Sequence, residues 1–303
     1  MKILVAVPIF NEEKYVAPVL REIRKYARAA ALSNSPAVET RILVVDDGST
    51  DGTPAVLRDL AARGHIDLLT HPENRGYGQS LIDAFAFAAR SDHGGPFDWV
   101  ITMDCDEQHE PCRIPLFVEQ CLHDDADIIS GSRYLRTDWN GEGGPPPDRR
   151  NINRIITELL NASLHLTVLP PALLTNAHAN GHSNGNGNGT AHGDDAPRLT
   201  DSFCGFKAHR VSALQQMNLT IPGYAFPMQF WAQAAALDHR IREIPVKLIY
   251  KDATRHFGGV LDDPTARLQH YLAVLTHEIE ALRDAEPAPA KRAGWFPCAC
   301  SCG

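Results

Sequence analysis

The chain has 303 residues, of which 44% are hydrophobic and 22% charged, a composition typical of a globular protein with one large or two small domains. Its formal net charge of −8, with no long basic run, argues against a protein that binds nucleic acid. No segment approaches the roughly 20 consecutive apolar residues of a membrane-spanning helix. We interpret the apolar N-terminus as a first strand and not as a signal peptide, because it is short and a Pro-x-x-Asn-Glu-Glu turn follows it.

Strand and helix patterns alternate along the first part of the chain. Apolar runs predict strands at residues 3–7, 41–45, 67–70, 98–103 and 127–130. Helical spacing of apolar residues predicts helices at 12–31, 54–61, 78–89 and 111–122. This alternation predicts an α/β fold, Rossmann-like, with a mostly parallel central sheet and helices on both faces. Ligands of such sheets gather at the carboxyl ends of the strands, where the polar turns 8–13, 46–53 and 104–109 fall.

The second part of the chain is less regular. A Gly- and Pro-rich loop at 141–150 precedes an amphipathic helix at 152–166, whose apolar side fits either core packing or a membrane surface. Residues 176–195, dominated by Asn, Gly, His and Ala, predict a disordered insert at about 172–198, with metal binding by its histidines as the alternative. Further patterns predict helices at 224–237 and 264–284 and a strand at 241–248.

These patterns predict one domain over residues 1–250, a loop and helix over 251–286, and a disordered tail over 287–303. The tail carries a C-x-C-x-C run at residues 298–302, which leaves a soft-metal or lipidation site open but lacks the C-x-x-C spacing of zinc sites. The four earlier cysteines are scattered, which is typical of reduced thiols.

Two aspartates, Asp104 and Asp106, directly follow the predicted strand at 98–103. Two carboxylates at a strand end form a hard oxygen site for Mg²⁺ or Mn²⁺, ions that also bind phosphate oxygens. The pair therefore indicates chemistry on a nucleotide diphosphate. A second strand end carries Asp46, Asp47 and Gly48, where carboxylates can accept hydrogen bonds from a base or a ribose and glycine lets the backbone approach the ligand. The alternative for these carboxylates is capping of the helix at 54–61.

Motifs in this order resemble the family-2 inverting glycosyltransferases with the nucleotide-sugar-binding A-type fold. The resemblance covers roughly residues 2–250 and rests on Pro8-x-x-Asn11-Glu12-Glu13, residues 44–53, Asn74-Arg-Gly-Tyr-Gly78 and Asp104-x-Asp106. Within that family the chain is most similar to the dolichyl- or polyprenyl-phosphate mannosyltransferase branch. The branch is supported by residues 104–111, Gly131-Ser-Arg-Tyr134, Asn151-x-Asn-Arg154 and residues 201–207.

The resemblance implies roles for matching residues. The implied nucleotide-binding residues are Pro8, Phe10, Glu12, Asp46, Asp47 and Asp104. Those implied to hold Mg²⁺ or Mn²⁺ are Asp104, Asp106 and Gln108. The implied acceptor-binding residues are Arg133, Asp201, Ser202 and Lys207. The residues implied to serve catalysis are Asp106, Gln108, Arg133 and Arg255.

Two of these arginines have a structural alternative. Arg133 can contact a phosphate through its fork of donors, or it can pair with a nearby acidic group. Arg255 and the adjacent His256 lie before Gly258-Gly259, in a loop that in relatives folds over the diphosphate; the alternative is a surface turn.

The acceptor region departs from relatives that glycosylate hydroxyls, because it carries no Glu-Asp motif and has Gln229 where lipid-phosphate relatives often have Glu. A hydroxyl acceptor must lose its proton, whereas a phosphate monoester, with a second pKa near ~6, is already an anion at neutral pH. The missing base therefore favours a phosphate acceptor, with Asp201 or His209 left open as a base from elsewhere.

The sequence thus predicts a metal-assisted transfer of a hexose, mannose favoured, from GDP-mannose or UDP-glucose to a polyprenyl phosphate. We expect a cytoplasmic protein that visits the membrane surface, through the helix at 152–166 as the obvious contact. The alternatives are transfer to a saccharide or small-molecule hydroxyl, a nucleotidyltransferase on a similar sheet, and a nucleotide-sugar binder without turnover. The nucleotidyltransferase would carry a Gly-rich loop with Arg and Lys after the first strand, where this chain has Pro-Ile-Phe-Asn-Glu-Glu.

Overall fold

The computed structural model describes residues 1–34, 37–90, 96–135, 145–171, 197–247, 249 and 257–284. Its strands are β1 (Lys2–Ile9), β2 (Glu39–Asp46), β3 (Asp67–Thr70), β4 (Trp99–Thr102), β5 (Ile128–Ser132), β6 (Thr167–Leu169), β7 (Lys207–Arg210) and β8 (Arg240–Pro245). Its α-helices are α1 (Val16–Ser33), α2 (Thr53–Ala62), α3 (Tyr77–Ala89), α4 (Ile114–His123), α5 (Pro147–Ser163), α6 (Val211–Leu214), α7 (Phe226–Ala236) and α8 (Pro264–Asp284).

The strands form one mixed sheet in the order β3-β2-β1-β4-β7-β5-β8-β6. Neighbouring strands run parallel except for β7, which is antiparallel to both β4 and β5. The sheet confirms the predicted α/β class and the mostly parallel pairing. Because β1, β2 and β4 are parallel neighbours, their carboxyl ends meet at one edge, which is where the polar turns lie.

Alternate side chains of the central strands enter two separate cores. Ile3, Val5 and Val7 of β1 pack on one face of the sheet with α1 and α4. Leu4 and Ala6 pack on the other face with α3, α5, α7 and α8. Burial on both faces explains why the strand reads as a continuous apolar run and not as an alternating one. The predicted inner faces of α1 and α3 are buried in these cores.

The sequence patterns do not predict the strands β6 and β7. β7 has the sequence Lys-Ala-His-Arg, which lacks an apolar run, yet Lys207, Ala208 and His209 are buried because strands flank β7 on both sides. β6 is three residues long and lies at the sheet edge. The insert at 176–195, Arg255, His256 and the Cys tail lie outside the described residues. The four other cysteines are free, and of them Cys112 is exposed.

Candidate active site

A cavity of about 540 Å³, here called the large cavity, opens at the carboxyl ends of β1, β2 and β4. It brings together five of the six predicted nucleotide-binding residues with Asp106 and Gln108. Its lining includes Pro8, Phe10, Glu12, Asp47, Asn74, Tyr77, Asp104, Asp106, Gln108, Arg149, Tyr224 and Phe257.

The turns after β1 and β2 are bonded to each other by side chains of their motifs. Asn11, in the left-handed region at φ 55°, donates its backbone N–H to Ser49 Oγ at 2.9 Å and accepts the Thr50 N–H on its Oδ1 at 2.8 Å. The Glu13 N–H is bonded to Asp51 Oδ2, and Glu13 Oε2 accepts the Gly52 N–H. These reciprocal bonds give the motif residues a structural role, which is to fix the wall of the large cavity.

The Asp47 carboxylate is hydrogen-bonded by the loop between β3 and α3. Its Oδ1 accepts the Arg75 N–H at 2.8 Å and faces His71 Nδ1 at 2.6 Å, while its Oδ2 accepts the Gly76 N–H at 2.9 Å. Among the described residues the Gly76 N–H is the group bonded to Oδ2, so this oxygen can accept a further bond, and Asp47 is one of the residues that line the large cavity. Asp46 differs from its predicted role, because it is 1% exposed, is not among the cavity-lining residues, and accepts the Ser49 N–H on its Oδ1. Asp46 therefore shapes the turn.

Asp104 is oriented by three neighbours. The Tyr77 hydroxyl donates to Asp104 Oδ1 at 3.1 Å, and the Asp104 N–H donates to His109 Nδ1 at 3.2 Å. Gly205 closes the third side, because a Cβ there would lie 2.6 Å from Asp104 Oδ2. Burial lowers the pKa of His109, which keeps the imidazole neutral and able to accept that N–H.

Asp106 and Gln108 lie on the loop that follows Asp104. Asp106 Oδ1 accepts the Gln108 N–H at 3.0 Å, and Glu107 between them adopts φ 59°. Within the described ranges no group of three or more His, Cys, Asp or Glu side chains could hold a metal ion by itself. Two carboxylates and an amide oxygen beside one cavity nevertheless fit a hard cation that takes its other ligands from a diphosphate.

A second cavity of about 190 Å³, here called the small cavity, adjoins the large one. The two share a wall formed by Tyr77, Asp104, Gln108, Arg149, Tyr224 and Phe257. The rest of the small cavity is aromatic and cationic, with side chains that include Arg133, Tyr134, Asn153, Phe203, Arg267 and Tyr271. Of the described residues that line it, Asp104 is the only carboxylate.

Arg133 reaches the small cavity while paired with Asp201. Its Nε and Nη2 lie 2.7 and 2.8 Å from the two carboxylate oxygens of Asp201, which is fully buried. Asp201 is thus the nearby acidic group with which Arg133 was expected to pair as the alternative to a phosphate. Among the described residues this pairing uses Nε and Nη2 and leaves Nη1 of Arg133 for a ligand. Asp201, Ser202 and Lys207 themselves differ from their predicted role, since all three are buried and none is among the residues that line either cavity.

The buried polar groups beneath Arg133 satisfy one another. Asn153 donates to Asp201 Oδ1, the Ser202 and Thr157 hydroxyls lie 2.8 Å apart, and Lys207 donates to the Cys204 carbonyl. Asp201 is a poor base, because Arg133 holds its pKa below the usual range. His209 is no better placed, because it lies on β7 away from both linings and burial lowers its pKa to about 3.

Phe257 closes the shared wall between two guanidinium groups. The Cζ atoms of Arg149 and Arg267 lie 4.6 and 4.4 Å from its ring centroid. Arg267 is buried and donates to Asp148 and to the Leu261 carbonyl. The predicted Arg255, two positions before Phe257 in the sequence, lies outside the described residues.

The helix α5 does not offer the predicted apolar side to a membrane. Ile152, Ile156 and Leu160 are buried in the core, whereas Ile155 is 36% exposed beside the exposed ion pair of Arg154 with Glu158. The core-packing alternative is therefore correct for the apolar side of α5. In the described part of the chain, no helix combines the length and apolarity needed to cross a membrane.

Sequence reasoning missed Tyr77, Tyr224, Arg149 and Phe257, which all line both cavities. Tyr77 lies inside a motif that was noticed, but nothing in the sequence pairs it with Asp104. The rings of Tyr77 and Tyr224 stack at 6.0 Å although the residues are far apart in the chain. Only the position of Arg149 just before a predicted helix was a usable signal.

Comparison with known proteins identifies the family to which this sequence is similar. The profile of the family described as Glycosyl transferase family 2 matches residues 4–173. An undecaprenyl-phosphate mannosyltransferase of Micrococcus luteus is 22% identical over 277 residues, which are 89% of this chain and 94% of that protein. An undecaprenyl-phosphate 4-deoxy-4-formamido-L-arabinose transferase of Pseudomonas fluorescens is 35% identical over 134 residues, 44% of this chain. The matches span 36%, 51% and 37% of the lengths of three curated relatives, this transferase among them.

A solved structure shares the fold. Glucosyl-3-phosphoglycerate synthase from Mycobacterium tuberculosis, in complex with Mg²⁺ and uridine-diphosphate, superposes with a TM-score of 0.56 at 16% identity. The match covers 92% of this chain and 79% of that one. At this identity the similarity establishes the fold, and it confirms the expected A-type architecture.

Proposed function

This chain belongs to glycosyl transferase family 2, and we propose that it transfers a hexose from a nucleotide sugar to a polyprenyl phosphate with the help of a divalent cation. The match to the undecaprenyl-phosphate mannosyltransferase, which runs over 94% of that protein, supports the acceptor class and favours mannose as the sugar. GDP-mannose is then the leading donor and UDP-glucose the next.

The large cavity is the proposed donor site. Asp47 presents an acceptor position toward it, and Pro8, Phe10 and Glu12 form the neighbouring wall. Its volume of about 540 Å³ falls within the usual range of ligand pockets, and the diphosphate would extend toward Asp106.

Mg²⁺ or Mn²⁺ is the proposed cofactor, held by Asp106 and Asp104 with help from Gln108. A cation there supplies Lewis-acid stabilisation of the charge that builds on the departing nucleotide. The Tyr77 hydroxyl keeps the Asp104 carboxylate in one orientation, and Gly205 leaves room for it. A structural neighbour of the same fold was solved with Mg²⁺ and uridine-diphosphate, which supports a divalent cation as the cofactor.

The small cavity is the proposed acceptor site, and its guanidinium groups carry the proposal. Arg133, Arg149 and Arg267 bring three guanidinium groups to its lining, which holds one carboxylate, Asp104. Arg133 and Arg267 are also paired with Asp201 and Asp148 outside the lining, so these two present oriented donors more than uncompensated charge. Guanidinium forks match the geometry of a phosphate, and aromatic walls suit the first isoprene unit of a lipid. A phosphate monoester is already an anion at neutral pH, so attack needs no general base.

The position of the two cavities suits an inverting displacement. In such a reaction the attacking oxygen and the leaving diphosphate lie on opposite sides of the sugar carbon. The shared wall around Asp104, Tyr77 and Gln108 is where a hexose would meet both partners. A lipid acceptor also requires contact with a membrane surface, which we propose is transient and does not use the apolar side of α5.

Transfer to a hydroxyl is the weaker candidate. The described residues of the small cavity offer no carboxylate apart from Asp104, and the alternative bases Asp201 and His209 are buried outside the lining. A binder without turnover is disfavoured by the paired carboxylates at the edge of the large cavity.

The test is a transfer assay with matched acceptors. Purified protein and Mn²⁺ are incubated with labelled GDP-mannose or UDP-glucose and with a short polyprenyl phosphate, the corresponding polyprenol, or a small phosphorylated acid. We expect organic-phase label with polyprenyl phosphate alone, with one donor, and its loss on addition of EDTA. Label on the polyprenol would favour the hydroxyl candidate, and label only on the small acid would replace the lipid by a soluble phosphate. Bound nucleotide without any product would contradict transfer altogether.

A further inference from the structure

A buried carboxylate that neither cavity uses lies behind the small cavity. Glu243, on β8, is 2% exposed. Both of its carboxylate oxygens lie 3.0 Å from the Thr200 N, Oε2 accepts the Thr200 hydroxyl at 2.8 Å, and Oε1 accepts the Asp201 N–H at 3.1 Å. Every one of these neighbours donates to Glu243, so the carboxylate fixes the backbone of residues 200 and 201.

The next link runs from that backbone to the cavity. The Asp201 carboxylate accepts two bonds from the Arg133 guanidinium, a third from the Arg133 N–H at 3.1 Å, and one from Asn153. Arg133 lines the small cavity, whereas Glu243 and Asp201 do not. Glu243 thus reaches Arg133 through Asp201, and the Thr200 hydroxyl, which also bonds to Ser132 Oγ, links it to the N–H of Tyr134 in the same cavity.

We propose that Glu243 is a positioning residue for the small cavity: its ionised carboxylate holds Thr200 and Asp201 where they set the Arg133 guanidinium, and its protonation loosens that hold. The significance of Arg133 for an acceptor rests on the proposed function, but the linkage among Glu243, Asp201 and Arg133 does not.

The hydrogen bonds from Glu243 through Asp201 to Arg133 should depend on pH. Burial raises the pKa of Glu243 to about 7, and the nearby charge of Asp201 adds to the effect, while the bonds from Thr200 oppose it. A protonated carboxyl group must donate one hydrogen bond, and of these neighbours the Thr200 hydroxyl alone can accept it. That hydroxyl must then reverse its bond, and the N–H groups of Thr200 and Asp201 lose a charged acceptor, which makes their bonds weaker. Protonation therefore weakens the attachment of residues 200 and 201 as the pH falls through about 7.

Few of the described residues place another charge close to Glu243. On the neighbouring strand β5 its register partner is Ser130, and beyond it on β7 the partner of Ser130 is the buried Lys207. The α5 side chains that face residues 201 and 202 are the neutral Asn153 and Thr157. Asp201, with Arg133 behind it, is the charged group that approaches Glu243 from the 199–203 segment.

A tryptophan next to this segment provides a reporter that does not depend on activity. The buried Trp231 donates its Nε1–H to the Ser202 carbonyl at 2.9 Å. We expect the fluorescence of the full chain to change across neutral pH with a midpoint of about 7, and the change to disappear in Trp231→Phe. It should also disappear in Glu243→Gln, which cannot titrate.

The matched control is Glu278→Gln. Glu278 is another buried carboxylate, which accepts a hydrogen bond from Gln229 and is not one of the described groups bonded to residues 200–202, so the transition should persist in that variant. Should Glu243→Gln fail to fold, Thr200→Val offers a second route, because loss of the hydroxyl donor should move the midpoint upward. A transition that is unchanged in Glu243→Gln, or a midpoint unmoved by Thr200→Val, overturns the proposal.

Steady-state kinetics test whether the protonation of Glu243 affects the binding of the acceptor. In the wild-type protein we expect KM for polyprenyl phosphate to rise about tenfold as the pH falls across neutrality, and KM for the nucleotide sugar to stay constant. In Glu243→Gln the acceptor KM should be high at every pH. If no transfer to a phosphate occurs at all, the proposed function fails while the fluorescence arm still decides the role of Glu243. A donor KM that moves equally would show a general loosening of the fold and contradict the positioning role.

Discussion

The large and small cavities share a wall but are built in different ways. The large cavity is formed mainly by turns that directly follow β1, β2 and β4, so neighbours in the sequence are neighbours in the site. The small cavity combines side chains that are spread along the chain from Tyr77 to Tyr271, held by pairs such as Arg133 with Asp201 and Arg267 with Asp148. The donor side therefore depends on local loop geometry and the acceptor side on long-range ion pairs, and the two should respond to different substitutions.

The largest expected effect is on the donor side. Asp106→Asn keeps the oxygen that accepts the Gln108 N–H but removes the charge toward the cation. We expect turnover to fall by on the order of 10³-fold, with weakened Mn²⁺ binding and an unchanged circular dichroism spectrum. Asp59→Asn, on the exposed surface of α2, serves as the control and should be neutral. Full activity in Asp106→Asn would show that the cation does not use this carboxylate.

A substitution in the small cavity that displaces two residues of the shared wall should affect both sides. In Gly205→Ala the new Cβ would lie 2.6 Å from Asp104 Oδ2 and 2.8 Å from the Tyr77 hydroxyl, so the Asp104 carboxylate must move. We expect kcat to fall by about 10²-fold, because small displacements of positioning groups are costly. Gly223→Ala is the matched control, since its Cβ would meet nothing within 4 Å. Equal activities of the two variants would show that catalysis does not depend on the position of the Asp104 carboxylate.

A smaller effect should be confined to the acceptor. Arg149→Gln removes a cation that lines the small cavity and packs on Phe257, and the loss of one charged contact should raise KM for polyprenyl phosphate about tenfold. The adjacent Arg150 is exposed, so Arg150→Gln controls for the change in net charge. Since Arg149 also borders the large cavity, the affinity for the nucleotide is measured in parallel by calorimetry. A loss in nucleotide affinity equal to that for the acceptor would assign Arg149 to the donor.

The smallest effect is expected at the outer surface of α5. Ile155→Ser removes the apolar side chain that α5 leaves partly exposed, and we expect recovery with sedimented anionic vesicles to change less than about twofold, since one residue buries little area. A complete loss of vesicle binding would restore α5 as the membrane contact.

How much of the site could be predicted from the sequence differs between the two cavities. The buried faces of α1 and α3 and the placement of Asp47, Asp104 and Asp106 around one cavity could be predicted, because period and strand order determine them. The adjacent Asp46 and Asp47 look alike in sequence, and only the structure of the turn shows that Asp47 lines the large cavity whereas Asp46 accepts the Ser49 N–H and does not.

The acceptor side was harder to predict for a physical reason. Arg133 was found, but the partner that orients it lies 68 positions away in the chain, beyond any local pattern. Asp201, Ser202 and Lys207 form a motif that is easily taken for binding residues, yet all three are buried outside both cavities, and Asp201 pairs with Arg133. The strand β7, which carries Lys207, is identified only by its pairing with β4 and β5.

The most direct test of the division between donor and acceptor is a crystal structure with a nucleoside diphosphate and Mn²⁺, measured at the manganese absorption edge. The account predicts nucleotide in the large cavity next to Asp47 and an anomalous peak in contact with Asp106, with the small cavity left for the acceptor. A nucleotide bound among Arg133, Arg149 and Arg267, or manganese remote from Asp106, would contradict it.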